Sequence, residues 1–457
     1  MPALTKPDDF QITTPMGEIT VPVEPIKEAL NYWANSIDKS DQMDTSISEF
    51  FNTDISNLEI KQRDYSGRQY IMWAYSLMEV INEEYETIKV ENHKYGDAET
   101  PPIWNEEKFN GLTFKIPYKL SLFLRHREDN HPLVISFWPY EQYEIDIKFY
   151  FEASNQHGNR YTQLWDKVQT HFNTQGLLKN AKFTADFKFL DVPSASWSDI
   201  VVEESSMEIL NRNIVNFVPH MNVYLEKNLR SSRGVLITGP PGTGKTLCCN
   251  VVMNSTNITT IYVARDAIKH EGQISEIYKM ARHLAPTLVI IEDIDTLGGL
   301  DRTSVHDHPL LGEFLNALSG VERNSGVITL ATTNYPQHLD WALADRPGRF
   351  DSRIEFGYPT PEARRQILEK YLTPFNTKKI NVKEVVKRTE EFSGAYLQEL
   401  VQTAFMLAFE QSDYQEDKTH ISQQHMESAL DLLLNQRKKS KKERGISSES
   451  DNTNYYG

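Results

Sequence analysis

Cysteine is nearly absent: two residues, Cys248 and Cys249, occur in 457. They are adjacent, in a stretch that reads as a buried helix where neighbouring side chains point apart. A disulfide framework is therefore excluded, and a reducing compartment fits. Long apolar runs are missing too. No stretch approaches the ~18 apolar residues that a membrane helix requires. Residues 1–10 have neither the apolar centre of a secretion signal nor the Arg-rich character of a mitochondrial presequence, so a soluble, cytoplasmic protein is the expectation. Positive charge is also short, with 48 Lys and Arg against 64 Asp and Glu, a formal charge of -16. Such a surface repels a phosphate backbone, which disfavours general nucleic-acid binding.

What is present is ordinary for a globular protein: 39% hydrophobic and 25% charged residues, in a chain long enough for two or three cores. Residues 1–192 hold five of the seven tryptophans and show mixed patterning, which predicts a separate α+β domain. Ile19–Val23 reads as a short strand. Ile26, Ala29, Leu30, Trp33 and Ile37 recur at helical spacing, and so do Tyr70, Trp73, Ala74, Leu77 and Ile81. Further on, Tyr143, Ile145, Ile147, Phe149 and Phe151 alternate with Glu144, Asp146, Lys148 and Tyr150, as in a half-buried strand. Phe183, Ala185, Phe187 and Phe189 repeat that pattern. No catalytic motif lies in this region, and its aromatics read as core.

Pro193–Ser196 reads as a linker. From there the pattern is short apolar runs separated by helical segments, that of a doubly wound α/β domain over 193–358. A helical region, 359–436, follows, and 437–457 reads as a charged, disordered tail.

Gly239-Pro240-Pro241-Gly242-Thr243-Gly244-Lys245-Thr246 matches the P-loop pattern in full, after the apolar run Val235-Leu236-Ile237 and before a helix. Glycines let successive backbone N–H groups face phosphates, and the helix amino terminus adds the positive end of its dipole. The expected nucleotide-binding set is Pro241, Gly242, Thr243, Gly244, Lys245, Thr246 and Leu247, for ATP with Mg2+. Lys245 is placed at the β- and γ-phosphates and the Thr246 hydroxyl at the metal. The second half of the site is Leu288–Asp295, a buried strand ending in acids. By position Glu292 is assigned to the metal and Asp293 to the attacking water.

The stretch Leu330–Tyr335, followed by Leu339–Asp351, resembles the second homology region of AAA ATPases. The resemblance spans Trp197 to about Gln436. It implies an AAA P-loop domain with a parallel sheet and a helical lid, working as a homo-oligomeric ring that is commonly a hexamer, with a heptamer also open. In that family the residue matching Asn334 orients the water, and arginines matching Arg346 and Arg349 reach into the neighbouring subunit's site. Ser196–Ile200 resembles the family's opening segment, which makes Ile200 a base contact; Gly394 and Ala395 match its nucleotide-facing lid turn. The Glu292-Asp293 order is the reverse of the usual one. That order, the run Gly312–Val321 and Arg233-Gly234 resemble the mitochondrial translocase of the folded Rieske protein and its soluble bacterial relatives, although the membrane helix of that translocase has no match here.

The segment Arg265–Gly272 stands where threading rings carry an aromatic step, and it has none, so a folded or partly folded client is favoured. His270-Glu271 begins a zinc-protease pattern, but Ile274 stands where the second ligand belongs. His306-Asp307-His308 reads as loop polarity. The resulting expectation is an ATP-driven protein-remodelling chaperone whose residues 1–192 hold a client. The alternative is a nucleotide-switched scaffold or sensor that unfolds nothing.

Overall fold

The computed structural model describes residues 9–14, 17–22, 43–92, 101–109, 111–141, 144–152, 160–264, 267–268, 271–296, 309–319, 324–335 and 350–443. The chain divides into two compact units, Met1–Lys179 and Asn180–Gly457.

In the first unit β1 (Asp9–Thr14) and β2 (Gly17–Pro22) pair as an antiparallel hairpin. The main sheet is antiparallel and contains β3 (Leu58–Ser66), β4 (Tyr85–Glu91), β5 (Ile103–Phe109), β6 (Leu112–His126), β7 (Pro132–Glu141) and β8 (Glu144–Glu152). Its order is β3-β8-β7-β6-β4, with β5 pairing to β6. The helix Gly67–Glu84 turns the expected stripe of Tyr70, Ala74, Leu77 and Ile81 inward. Trp73 stacks on Trp165 and Phe172, ring centroids 5.3 and 4.0 Å apart, which joins this helix to Arg160–Thr174. Ile145, Ile147, Phe149 and Phe151 of β8 pack in the same core. Tyr150, whose place in the alternation faces it the other way, is buried as well. A second layer explains this: Ile47 and Phe51, in a helix over 43–51, cover it together with Leu58, Phe123 and Val134. The amphipathic run at Ile26–Ile37 lies outside the described residues.

The second unit is built on a six-stranded sheet in which every pairing is parallel. Its strands are β9 (Lys182–Thr184), β10 (Arg233–Thr238), β11 (Thr259–Val263), β12 (Thr287–Ile291), β13 (Val327–Thr333) and β14 (Ser352–Glu355). They lie in the order β14-β10-β13-β12-β11-β9. All residues of β12 and β13 are buried, as expected where both faces are covered, and this is why they read as unbroken apolar runs rather than as an alternation. The helix Lys245–Ser255 is buried on most sides, Cys248 and Cys249 included.

Two boundaries differ from the sequence reading. Residues 180–192 were expected in the amino-terminal domain, yet β9 is the edge strand of the parallel sheet, pairing Lys182–Thr184 with Thr260–Tyr262. Phe183 is 1% exposed there. Period-two alternation announces a strand but does not say which sheet receives it. Beyond Thr184 the chain turns back on itself, with Thr184 N–H donating to the Lys188 carbonyl and Phe187 in a left-handed conformation. The second difference is at the other end. The helix Gln423–Glu443 continues through Arg437–Glu443, which were read as tail. Arg437 donates to Glu391 Oε2 at 2.9 Å and lies 5.6 Å from the Phe392 ring centroid. Lys and Arg are good helix formers, so their charge alone does not end a helix.

The remaining helices of this region, Pro361–Leu372, Val382–Arg388 and Gly394–Gln411, begin at side-chain caps. Thr360, Asn381 and Ser393 each accept a hydrogen bond from a first-turn N–H, which satisfies donors that a helix start otherwise leaves open. With Gln423–Glu443 they close a core of Leu368, Phe392, Leu397, Leu400, Ala404 and Met426. No helix among the described residues is long and apolar enough to cross a membrane.

Phe183→Ala is expected to destabilise the second unit by about 3–5 kcal/mol, seen in calorimetry as a lowered transition for that unit alone. If the variant lowered the first unit's transition instead, the boundary at residue 180 would be wrong.

Candidate active site

β10 ends at Thr238, paired with Thr333 at the end of β13. Beyond Thr238 the loop needs glycine at three places. A Cβ on Gly239 would stand 2.1 Å from the Phe356 carbonyl oxygen, and Gly242 and Gly244 have φ of 78° and 101°, values that a β-carbon resists. Lys245 opens the following helix and is 7% exposed. Its ammonium donates to the Gly239 and Pro240 carbonyls, both at 2.8 Å, so the lysine spans its own loop. Burial draws its pKa below the ordinary lysine value, while Asp293, Asp295 and Glu292 act in the opposite sense. Thr246 is exposed at the start of the helix.

The acids leave the end of β12. Glu292 Oε2 accepts from the Tyr262 hydroxyl at 2.7 Å, and Oε1 is buried without a hydrogen-bond partner among the described residues. Asp293 has a φ of 51°, a left-handed conformation that aspartate tolerates better than most residues with a β-carbon. Its N–H donates to Thr332 Oγ1 at 3.0 Å, and its Oδ1 accepts from Asn334 Nδ2 at 2.7 Å. Asp295 Oδ1 accepts from Thr333 Oγ1 at 2.6 Å and from the Asn334 N–H at 3.1 Å. One carboxylate thus fastens the end of β13, and Asn334 reaches from there to Asp293.

The helical region meets the loop from the other side. The Ala395 N–H donates to the Gly242 carbonyl at 3.1 Å. A Cβ on Gly242 would come within 2.8 Å of Ser393 Oγ and 3.0 Å of the Ala395 Cβ, and one on Gly394 would lie 3.5 Å from the Gly242 oxygen. Ile200 is buried, with its Cδ1 3.9 Å from the position a Cβ on Gly244 would take. Beside them lies a cavity of about 260 Å3 lined by Val201, Val202, Thr243, Ile367 and Gly394 among others. Its walls mix apolar side chains with the polar ones of Glu203, Glu355, Glu362 and Gln366.

The structure therefore brings Lys245, Glu292, Asp293 and Asn334 to one edge of the sheet, and Ile200, Gly394 and Ala395 to the loop. Arg346 and Arg349 lie outside the described residues, as do Arg265, Asp266, Lys269, His270 and His306–His308. Sequence reasoning missed Tyr262, Asp295, Thr332 and Ile367. A signal existed for Asp295, a carboxylate two residues past the acids. None existed for Tyr262, which reads as one more aromatic in an apolar strand.

A profile described as "ATPase family associated with various cellular activities (AAA)" matches residues 235–358, and one for the AAA+ lid domain matches 379–428. The second unit carries an AAA ATPase domain and its lid. Outside the profiles, the chain is 35% identical over 232 residues to the ATPase family gene 2 protein of Saccharomyces cerevisiae, covering 48% of this chain and 29% of that one. It is 30% identical over 264 residues to the proteasome-activating nucleotidase of Pyrococcus furiosus, covering 55% and 65%. It is 32% identical over 266 residues to the ATP-dependent zinc metalloprotease FtsH of Ureaplasma parvum, covering 56% and 35%. The chain thus spans less than two thirds of the length of each of these relatives, and the likeness to them covers about half of the chain.

Asp295→Ala leaves Thr333 Oγ1 and the Asn334 N–H of the AAA domain without their acceptor. A loss of about 1–3 kcal/mol in chemical denaturation is expected from the abandoned buried groups, whereas Asp295→Asn, which keeps a carbonyl oxygen there, should recover most of it. Equal losses in both variants would contradict the hydrogen-bonding role.

Proposed function

We propose that the chain hydrolyses ATP with Mg2+ in a ring of identical subunits, and couples that turnover to remodelling a protein client held by its amino-terminal unit. The observation that carries the reading is the convergence of Lys245, Glu292, Asp293 and Asn334 at the mouth of the P-loop. The residues fit the nucleotide and metal on structural grounds. A Cβ on Gly239 or Gly242 would clash and Gly244 has a φ of 101°, and among the described residues Lys245 donates to two backbone carbonyls while the buried Glu292 Oε1 has no hydrogen-bond partner. Such an oxygen is costly unless something fills its shell.

Thr246 and Glu292 would hold Mg2+, which would supply positive charge to offset the charge that develops on the phosphate oxygens. Lys245 exchanges its two carbonyls for phosphate oxygens, at little electrostatic cost because it is already desolvated. Asp293 accepts the proton of the attacking water, and Asn334 orients that water. Asn334 Nδ2 donates to Asp293 Oδ1 in this structure, which holds amide and carboxylate side by side. Ile200, Gly394 and Ala395 border the base and ribose. Guanidinium groups of Arg346 and Arg349 from the adjacent subunit would complete the pocket, which makes turnover depend on assembly. A ring of six agrees with the resemblance, and seven would agree with the Rieske-translocase type. The missing aromatic in Arg265–Gly272 favours a folded client over a threaded one, and Asp293→Asn would hold ATP and client together for capture.

Lys245→Ala is expected to abolish ATP binding. Arg349→Ala should still bind ATP and lose turnover by on the order of a thousandfold, and wild-type specific activity should rise with protein concentration. Undiminished turnover in either variant would sink the hydrolytic reading. Slow turnover combined with nucleotide-dependent assembly would favour the scaffold or sensor instead.

A further inference from the structure

We propose that Tyr262 is a positioning residue of the ATP site: its hydroxyl holds one oxygen of Glu292 and so fixes the carboxylate that would hold the metal. This rests on the ATP–Mg2+ reading of the site and adds to it a residue on the neighbouring strand.

A glutamate in this position has a geometric difficulty. It ends a strand at the edge of the phosphate site, where a carboxylate must be held in one place, and it has one more rotatable bond than an aspartate. That freedom is lost at an entropic cost each time the side chain is used, unless something fixes it beforehand. The structure supplies the fixing group. Tyr262 on β11 pairs with Ile290 on β12, and residues two apart in a strand share a face. Tyr262 therefore lies on the same face as Glu292, one pair behind it, and its hydroxyl reaches forward to Oε2 at 2.7 Å. The ring packs against the core that includes Ile290 and Cys249.

Cys249, on the helix after the P-loop, is fully buried beside the Glu292 carboxylate. Oε2 is thus committed to Tyr262, and Oε1 is buried with no hydrogen-bond partner among the described residues. A carboxylate with one oxygen tied and one free is the arrangement by which outer groups orient a metal-side ligand, and removing such a group commonly weakens metal binding about tenfold or more.

The test is calorimetric titration of the full-length protein with a non-hydrolysable ATP analogue, once with Mg2+ and once with EDTA. In wild type, Mg2+ should tighten binding. Tyr262→Phe keeps the ring and removes only the hydroxyl. The variant should lose about tenfold in affinity with Mg2+ and nothing in EDTA, a split that a general loss of structure would not produce. In a Glu292→Asp background, whose shorter side chain cannot reach the hydroxyl in the same way, Tyr262→Phe should have no further effect. The proposal is overturned if Tyr262→Phe binds with wild-type affinity in Mg2+, if it loses equally in EDTA, or if it costs as much in the Glu292→Asp background. If wild type itself gains nothing from Mg2+, the metal–nucleotide reading fails and this inference fails with it, a result distinguishable from the other three.

Discussion

The register of the parallel sheet is the constraint on which the rest depends. Pairing Thr238 with Thr333 and Ile291 with Ala331 brings three strands to an end at nearly the same level. Whatever follows them is then delivered to one edge, where the strand ends and helix starts of an open α/β sheet gather. The P-loop follows β10, the acids follow β12, and Asn334 follows β13. A shift of one residue in either pairing would move the lysine, the carboxylates or the amide by about 3.3 Å, beyond the reach of the contacts that now join them. Hydrogen bonds across the edge lock the register in turn: Asp293 to Thr332, Asp295 to Thr333 and Asn334, and the Gly239 N–H to the Thr333 carbonyl.

The lid is tied to the same edge by short-range contacts. Its link to Gly242 passes through Ser393, Gly394 and Ala395, which also open the helix Gly394–Gln411. At the other end of the lid, buried Arg364 donates to the Pro359 and Val386 carbonyls, which fixes the start of the first lid helix against the second. Lys370 of that first helix pairs with Asp199 at 2.9 Å, and the ammonium holds the carboxyl down to about 2. The opening segment, the loop and the lid thus share contacts.

Much of this was legible in residues alone, for physical reasons. A P-loop needs glycine at positions where a β-carbon cannot stand, so its pattern is rigid and readable. Strands buried on both faces appear as unbroken apolar runs, as in Leu288–Ile291. What was not legible depends on pairing. Phe183 announced a strand, but membership in the parallel sheet comes from hydrogen bonds to Thr260–Tyr262, which no local pattern encodes. Tyr150 read as outward until a second layer covered it. Tyr262 gave no sign of its polar task, because the partner of its hydroxyl lies on another strand, 30 residues away in sequence. Arg437 sits in a basic run whose composition suggested a tail, yet Glu391 and Phe392 engage it within the lid.

The most direct measurement is a structure of the protein with a non-hydrolysable ATP analogue and Mg2+. The account predicts that the Lys245 ammonium leaves the Gly239 and Pro240 carbonyls for the phosphates, with the base in the cavity beside Thr243, Ile367 and Gly394. A nucleotide bound elsewhere, with Lys245 still fastened to its own loop, would contradict it.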